Sequence, residues 1–146
     1  MKKQKAAPQN GTTPNTHTDV ITRKPSKAHR IELACLHLLG NAQEGTTRIT
    51  ATHFYGDFDY RNRIDELRND HGIKIESRPY EHMRQDGGIS RLSLYYLPDR
   101  HEARKVAELV NLKRKQRGAA SLSQVQISSY LARFPLPSQT GHQPTA

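Results

Sequence analysis

Between residues 26 and 39 the apolar positions Ile31, Ala34, Cys35, Leu38 and Leu39 recur at three- and four-residue intervals, the spacing of a helix buried along one side. Ser26, following Pro25, stands where an N-cap belongs, and Gly40 where the helix should stop. Asn41 to Thr47 is a polar loop. Arg48-Ile49-Thr50 fits either a short strand or the approach to a second helix that Thr50 caps and that runs over about Ala51–Tyr55, docked by Phe54 and Tyr55. Gly56-Asp57-Phe58 then reads as a turn. From Asp59 to His71 the helical period returns, with Tyr60, Ile64, Leu67 and His71 on one side. Asp59 suits the N-cap of this helix and Gly72 its left-handed end.

After Gly72 the period changes to two. Ile73, Ile75 and Ser77 alternate with Lys74, Glu76 and Arg78, while Ile89 to Leu97 sets Leu92, Leu94 and Tyr96 against Ser93 and Tyr95. Two strands are predicted, joined by a long hairpin loop over Pro79–Gly88 that holds His82 and Arg84. Asp99 to Glu102 matches a capping box, and Ala103, Val106, Ala107 and Val110 follow at helical spacing, so a further helix should run to about Lys115. Ile127, Tyr130, Leu131 and Phe134 form one more stripe, placing a short helix within 121–134. It can cap the core, pair with a second subunit or act as a docking peptide. Helix, short helix, helix, hairpin is the order of a winged helix-turn-helix. The expected fold is therefore α+β, with a three-helix and hairpin domain over 26–98, a basic helix over 99–117 and a tail over 118–146.

Composition narrows this picture. The chain has 146 residues of which 34% are hydrophobic, too few for all of it to be packed. Residues 1–25, rich in Lys, Gln, Thr, Asn and Pro without apolar period, read as a disordered basic arm. No apolar run approaches the ~18 residues of a membrane span, and the N-terminus lacks the apolar segment of a secretion signal, so a cytoplasmic protein without membrane partners is expected. Net charge is +9, but residues 26–98 carry ten basic and ten acidic groups. The excess sits in the flanks, where it suits arms that grip phosphates beside a neutral discriminating body, and equally a soluble protein with basic tails.

The outer side of the Asp59–His71 helix carries the candidate chemistry. Arg61, Asn62, Asp65, Arg68 and Asn69 lie away from Ile64, and arginine and asparagine are the side chains that pair with guanine and adenine edges in a major groove. Their spacing is also that of a surface ion-pair ladder. Arg78, His82, Arg84 and Arg91 on the hairpin are candidates for further DNA contacts, and Arg48, Lys113, Arg114, Lys115 and Arg117 for phosphate contacts. The expected partner is double-stranded DNA. A homodimer is a second, since one small reading surface rarely suffices and the Ala103–Val110 stripe offers a contact. The acids on the presumed reading helix favour another class, a module that binds a host or phage protein. RNA binding through Tyr80, Tyr95 and Tyr96 is weaker, because those rings fit hairpin packing.

Catalysis finds no support in the spacing. The eight histidines are scattered and the single cysteine has no partner, so neither a zinc site nor a disulfide is expected. Asp57 and Asp59, imagined with Asp65 or Glu66 as a magnesium site, are accounted for by turn and cap roles. No catalytic residue, metal or cofactor is assigned.

The run ITATHFYGDFDYRNRIDELRNDHGIKIESR resembles the short helix-turn-helix, winged-helix proteins common in bacteriophages and prophages. Thr50, Ala51, Gly56, Arg63, Ile64, Glu66, Leu67, Arg68, Gly72, Ile73 and Ile75 carry the likeness, which covers about residues 28–97. It implies a sequence-specific transcriptional regulator associated with the nucleoid of a bacterial host. The longer loop at Gln43–Thr47, the Asp57-Phe58-Asp59 approach and the long hairpin depart from the pattern.

Overall fold

The first apolar stripe forms α1 (Arg30–Asn41), which buries Ile31, Ala34, Cys35, Leu38 and Leu39 at the centre of the molecule. A computed structural model describes residues 24–137; the basic arm expected over 1–25 and the end of the tail fall largely outside the described residues. Ser26 does not cap α1. Its amide donates to the Arg117 carbonyl at 3.1 Å and its carbonyl accepts from the Arg117 guanidinium at 2.9 Å, so the helix starts only after His29. Gly40 lies inside α1, and the chain turns instead at Ala42, whose φ of 48° opens a 3-10 turn over Ala42–Glu44.

The second helix, α2 (Arg48–Tyr55), is longer than expected because Thr47, and not Thr50, is its cap. The Thr47 hydroxyl accepts from the Thr50 amide at 3.2 Å while the Thr50 hydroxyl accepts from the Thr47 amide at 2.9 Å, a reciprocal cap built from two threonines. The strand alternative for Arg48–Thr50 falls away; the extended residue is Thr46, bridged to Tyr95. Helix α3 (Tyr60–Asp70) buries Tyr60, Ile64 and Leu67 and ends as expected at Gly72, with φ 63°. Asp59 makes no side-chain cap bond.

Strands β1 (Glu76–Met83) and β2 (Ile89–Tyr96) pair antiparallel, from Glu76 opposite Tyr96 to Met83 opposite Ile89. The hairpin loop is therefore only Arg84–Gly88. Pro79 sits inside β1 because a two-stranded sheet has only edge strands, where a missing amide donor is tolerated. Ile73 and Ile75 belong to the buried lead-in to β1.

Helix α4 (Arg100–Gln116) is capped by Asp99, whose carboxylate accepts from the Glu102 amide at 3.0 Å. Glu102 does not complete the box; it accepts from the Lys74 amide at 2.8 Å. The stripe Ala103, Val106, Ala107 and Val110 is buried in the core shared with α1. That apolar surface is used within the chain, which removes it as a dimer contact. Helix α5 (Gln124–Leu131) closes the core with Leu131 and Phe134. Among the described residues the architecture is α+β, with five α-helices and one antiparallel hairpin.

Two buried polar groups brace this core. Glu32 is held by both guanidinium arms of Arg117 at 2.8 Å, with Arg114 Nε at 3.4 Å, fastening the start of α1 to the end of α4. That bond holds the Arg117 guanidinium above its ordinary range. Arg114 and Arg117 were expected to grip phosphates; they are engaged inside the fold. His37 donates from Nε2 to the Thr50 hydroxyl at 2.8 Å and accepts the Asn41 amide on Nδ1 at 3.2 Å. A protonated ring would set two donors against each other there, and burial pulls the imidazole down to about 4.

Removing the Glu32 charge strands two guanidiniums, so Glu32→Gln should lower the melting temperature by about 5 °C or more; calorimetry showing an unchanged transition would refute the brace. The neutral His37 ring sets a pH window. Between the ordinary imidazole value of 6.5 and about 4 the unfolded chain holds the proton more tightly, so stability is full above that window and falls as pH drops through it, by roughly 2 kcal/mol at pH 4.5. Urea unfolding at pH 7 and pH 4.5 checks this, and His37→Gln should flatten the difference.

Candidate functional site

Tyr60, at the first turn of α3, is buried, and its hydroxyl lies 2.7 Å from Thr46 Oγ1. Thr46 also exchanges both backbone hydrogen bonds with Tyr95, at 2.8 and 2.7 Å, and the Tyr60 and Tyr95 rings meet edge to face at 5.9 Å. This junction brings the start of α2, the start of α3 and the base of β2 together. Arg48, Arg61, Asn62, Arg91 and Ser93 consequently line one open groove of about 340 Å³, with Phe58 and Asp59 on its rim. Among the described residues neither Arg48 nor Arg61 forms an ion pair, and Arg91 only grazes Glu81 at 3.9 Å. The lining holds three guanidiniums and one carboxylate, Asp59, with Glu81 beside Arg91, so cations are in excess and the groove attracts anions.

The turn before α3 is fixed from beneath. Asp57 is wholly buried, accepting from the Tyr55 hydroxyl at 2.8 Å and the Asp59 amide at 2.9 Å, with Arg63 Nε at 3.3 Å. Burial, and then the bond to Asp57, push the Tyr55 hydroxyl above its ordinary range. Gly56 takes the left-handed conformation, φ 78°, that this reversal needs. With Asp57 turned inward, Phe58 is turned out and is 76% exposed.

The other expected site residues do not gather in the groove. Arg68 donates to the Ile75 carbonyl from Nη2 at 2.6 Å and Nε at 3.2 Å, and lies over the Tyr95 ring at 5.7 Å. It straps α3 to the lead-in of β1, with Asp65 at 4.0 Å, which corrects its expected place among the base-facing groups. Asn69 is exposed in the last turn of α3, outside the groove lining. Arg78 and His82 fall on the opposite sheet face from Arg91, and Arg78 stacks on Tyr96 at 4.9 Å. Arg84 curls over its own turn, 3.2 Å from Asp86 Oδ1 and from Ser90 Oγ; the Gly88 amide and then Arg84 hold the Asp86 carboxyl below its usual range. Lys113 lines a separate hollow with His29, Arg30, Arg63 and Glu66, and Lys115 is exposed on α4. The sequence reading missed Phe58, Asp59 and Ser93 as groove residues. Phe58 carried one signal, a large apolar residue in a turn with no periodic partner.

Comparison of the chain with family models, with curated proteins and with solved structures finds no match. Among the described residues no cluster of three or more His, Cys, Asp or Glu side chains converges to hold a metal ion, and no helix is long and apolar enough to cross a membrane. Cys35 is buried, its thiol pushed up to about 12 by burial first and Glu32 second, which keeps it unreactive.

Arg68→Ala leaves the Ile75 carbonyl without its donors and should cost about 1 to 3 kcal/mol of folding stability. Arg61→Ala, which breaks no side-chain bond among the described residues, should cost less than about 0.5 kcal/mol. Urea midpoints for the two variants measure the contrast; equal losses would return Arg68 to the surface.

Proposed function

We propose that the chain binds double-stranded DNA sequence-specifically and acts as a transcriptional regulator of the phage or prophage type. In this reading α1 to α3 and the hairpin form a winged helix-turn-helix, with α3 the reading helix and β1–β2 the wing. The observation that carries it is the groove itself, lined by Arg61 and Asn62 of the first turn of α3 together with Arg48 on α2 and Arg91 on β2. That arrangement suits base edges flanked by phosphates, with Arg61 matched to guanine, Asn62 to adenine, and Arg48 and Arg91 to the backbone on either side. Lys113 and Lys115 add distal, sequence-independent attraction. The cell compartment that follows is the bacterial nucleoid.

One observation favours a second reading, a module that docks on a protein. The hairpin tip pairs Met83 with Ile89, 69% and 52% exposed, and its charges cancel as Arg84 with Asp86 and Arg91 with Glu81. A neutral apolar tip suits a protein surface better than phosphate.

Selection from a random duplex pool, followed by affinity measurement at several salt concentrations, separates the two. Arg61→Ala should weaken the selected site by about 1 to 3 kcal/mol and relax preference at one position. Arg48→Ala and Arg91→Ala should weaken all sequences alike and lower the salt slope by about one each. Enrichment of no sequence, with salt-insensitive capture of a protein through the hairpin tip, would transfer the assignment to the second reading.

A further inference from the structure

Phe58 is exposed where the fold has no use for it. The turn it occupies is held by Asp57, Tyr55 and Gly56, and the core is closed without it. Its ring instead walls two adjacent hollows, the groove shared with Arg48, Arg61, Asn62 and Arg91, and a shallower one over Ile49, Thr52 and His53 on α2. Next to it stands Asp59, exposed and making no cap bond. A carboxylate there repels phosphate, whereas it can accept a hydrogen bond from the amino group of cytosine. The tip that precedes α3 is therefore built for base edges, and the one base-edge feature that suits an apolar ring is a pyrimidine 5-methyl group.

Resting on the DNA-binding reading above, we infer that Phe58 is a specificity-determining residue that contacts a pyrimidine 5-methyl group, on thymine or on 5-methylcytosine, next to the base paired with Arg61. The guanidiniums of Arg48 and Arg61, which line the same groove as the ring, anchor the flanking phosphate and guanine. The ring then meets the major-groove edge between them.

The test uses the full chain and its selected duplex. Each thymine is replaced singly by deoxyuridine, which removes the methyl group and keeps every hydrogen-bonding atom. At one position the native chain should lose about three- to ten-fold in affinity. Phe58→Ala should bind the thymine and uracil duplexes equally at that position, with an unchanged melting temperature, and Phe58→Leu should keep part of the discrimination. Placing cytosine or 5-methylcytosine there separates the two sources. Recovery by the methylated base alone assigns the contact to the methyl group wherever it is carried, and recovery by neither confines it to thymine. A selected site at which no methyl removal matters, or a Phe58→Ala chain with the native thymine-to-uracil ratio, overturns the inference and leaves DNA binding standing. A native chain that selects no duplex overturns the DNA-binding reading first.

Discussion

The geometry of the groove depends on the hydroxyl of Thr46. It donates to the Tyr95 carbonyl at 3.0 Å and, having one proton to give, takes its second bond from the Tyr60 hydroxyl at 2.7 Å. All three groups are buried, so losing the Thr46 hydroxyl leaves the Tyr60 hydroxyl without water or partner, at a cost of about 1 to 3 kcal/mol. Burial also pushes the Tyr60 hydroxyl above its ordinary range, which keeps it a neutral donor. Gly45 makes the approach feasible. Its φ is 84°, and a Cβ at that position would run into the Leu94 side chain. The segment before α2 can thus lie flat on β2, and every groove residue is a few positions from one member of this triad.

A second regularity concerns how the arginines are used. Arg117 and Arg114 are drawn to Glu32, Arg63 to Asp57 and Glu66, Arg68 to the Ile75 carbonyl, Arg100 to the carbonyls of Leu131 and Phe134, and Arg133 to that of Gly40. Carbonyls past helix ends lack intrahelical donors, and the guanidinium fork reaches two acceptors at once. A small chain with a thin apolar supply uses its long cations as fasteners. Basic residues in the sequence therefore overstate the basic surface, and the cations without an ion-pair partner among the described residues, Arg48 and Arg61 among them, say more about a binding face than the net charge does.

This explains what the sequence disclosed and what it hid. The order of helices and strands was readable because Ile31 to Leu39, Tyr60 to Leu67 and Ala103 to Val110 each keep a helical period that one buried face requires. The ends of elements were less readable. Ser26 and Thr50 look like caps, but the caps that form depend on a distant Arg117 and on a neighbouring threonine in place of the usual glutamate or glutamine. The hairpin loop was overestimated because Pro79 and the polar run after it obey no alternation, and β1 pairs chiefly through its backbone with most side chains exposed. In the site, Arg61 and Asn62 were legible from helical position, whereas Arg48 lay in a stretch that read as strand or as the approach to a helix and joins the helix only because Thr47 caps it. Arg68 sits on the same side of α3, and only the path of the chain after Gly72 decides that Ile75 claims it.

Under the DNA-binding proposal, the neutral body and basic flanks acquire a joint meaning. Non-specific affinity comes from unpaired cations that meet phosphate anywhere, and it competes with the selected site across a whole genome. Internal pairing of Arg114, Arg117, Arg63 and Arg68 withdraws cations from that competition, and the exposed Asp59 penalises a backbone-only approach of α3. On the DNA-binding proposal, Arg48 and Arg91 meet phosphate on any sequence, while Arg61 adds weight only when a base edge meets the first turn of α3. Discrimination of the proposed kind would come from an 11-residue helix by subtracting attraction for the wrong partner, which costs less contact area than adding attraction for the right one.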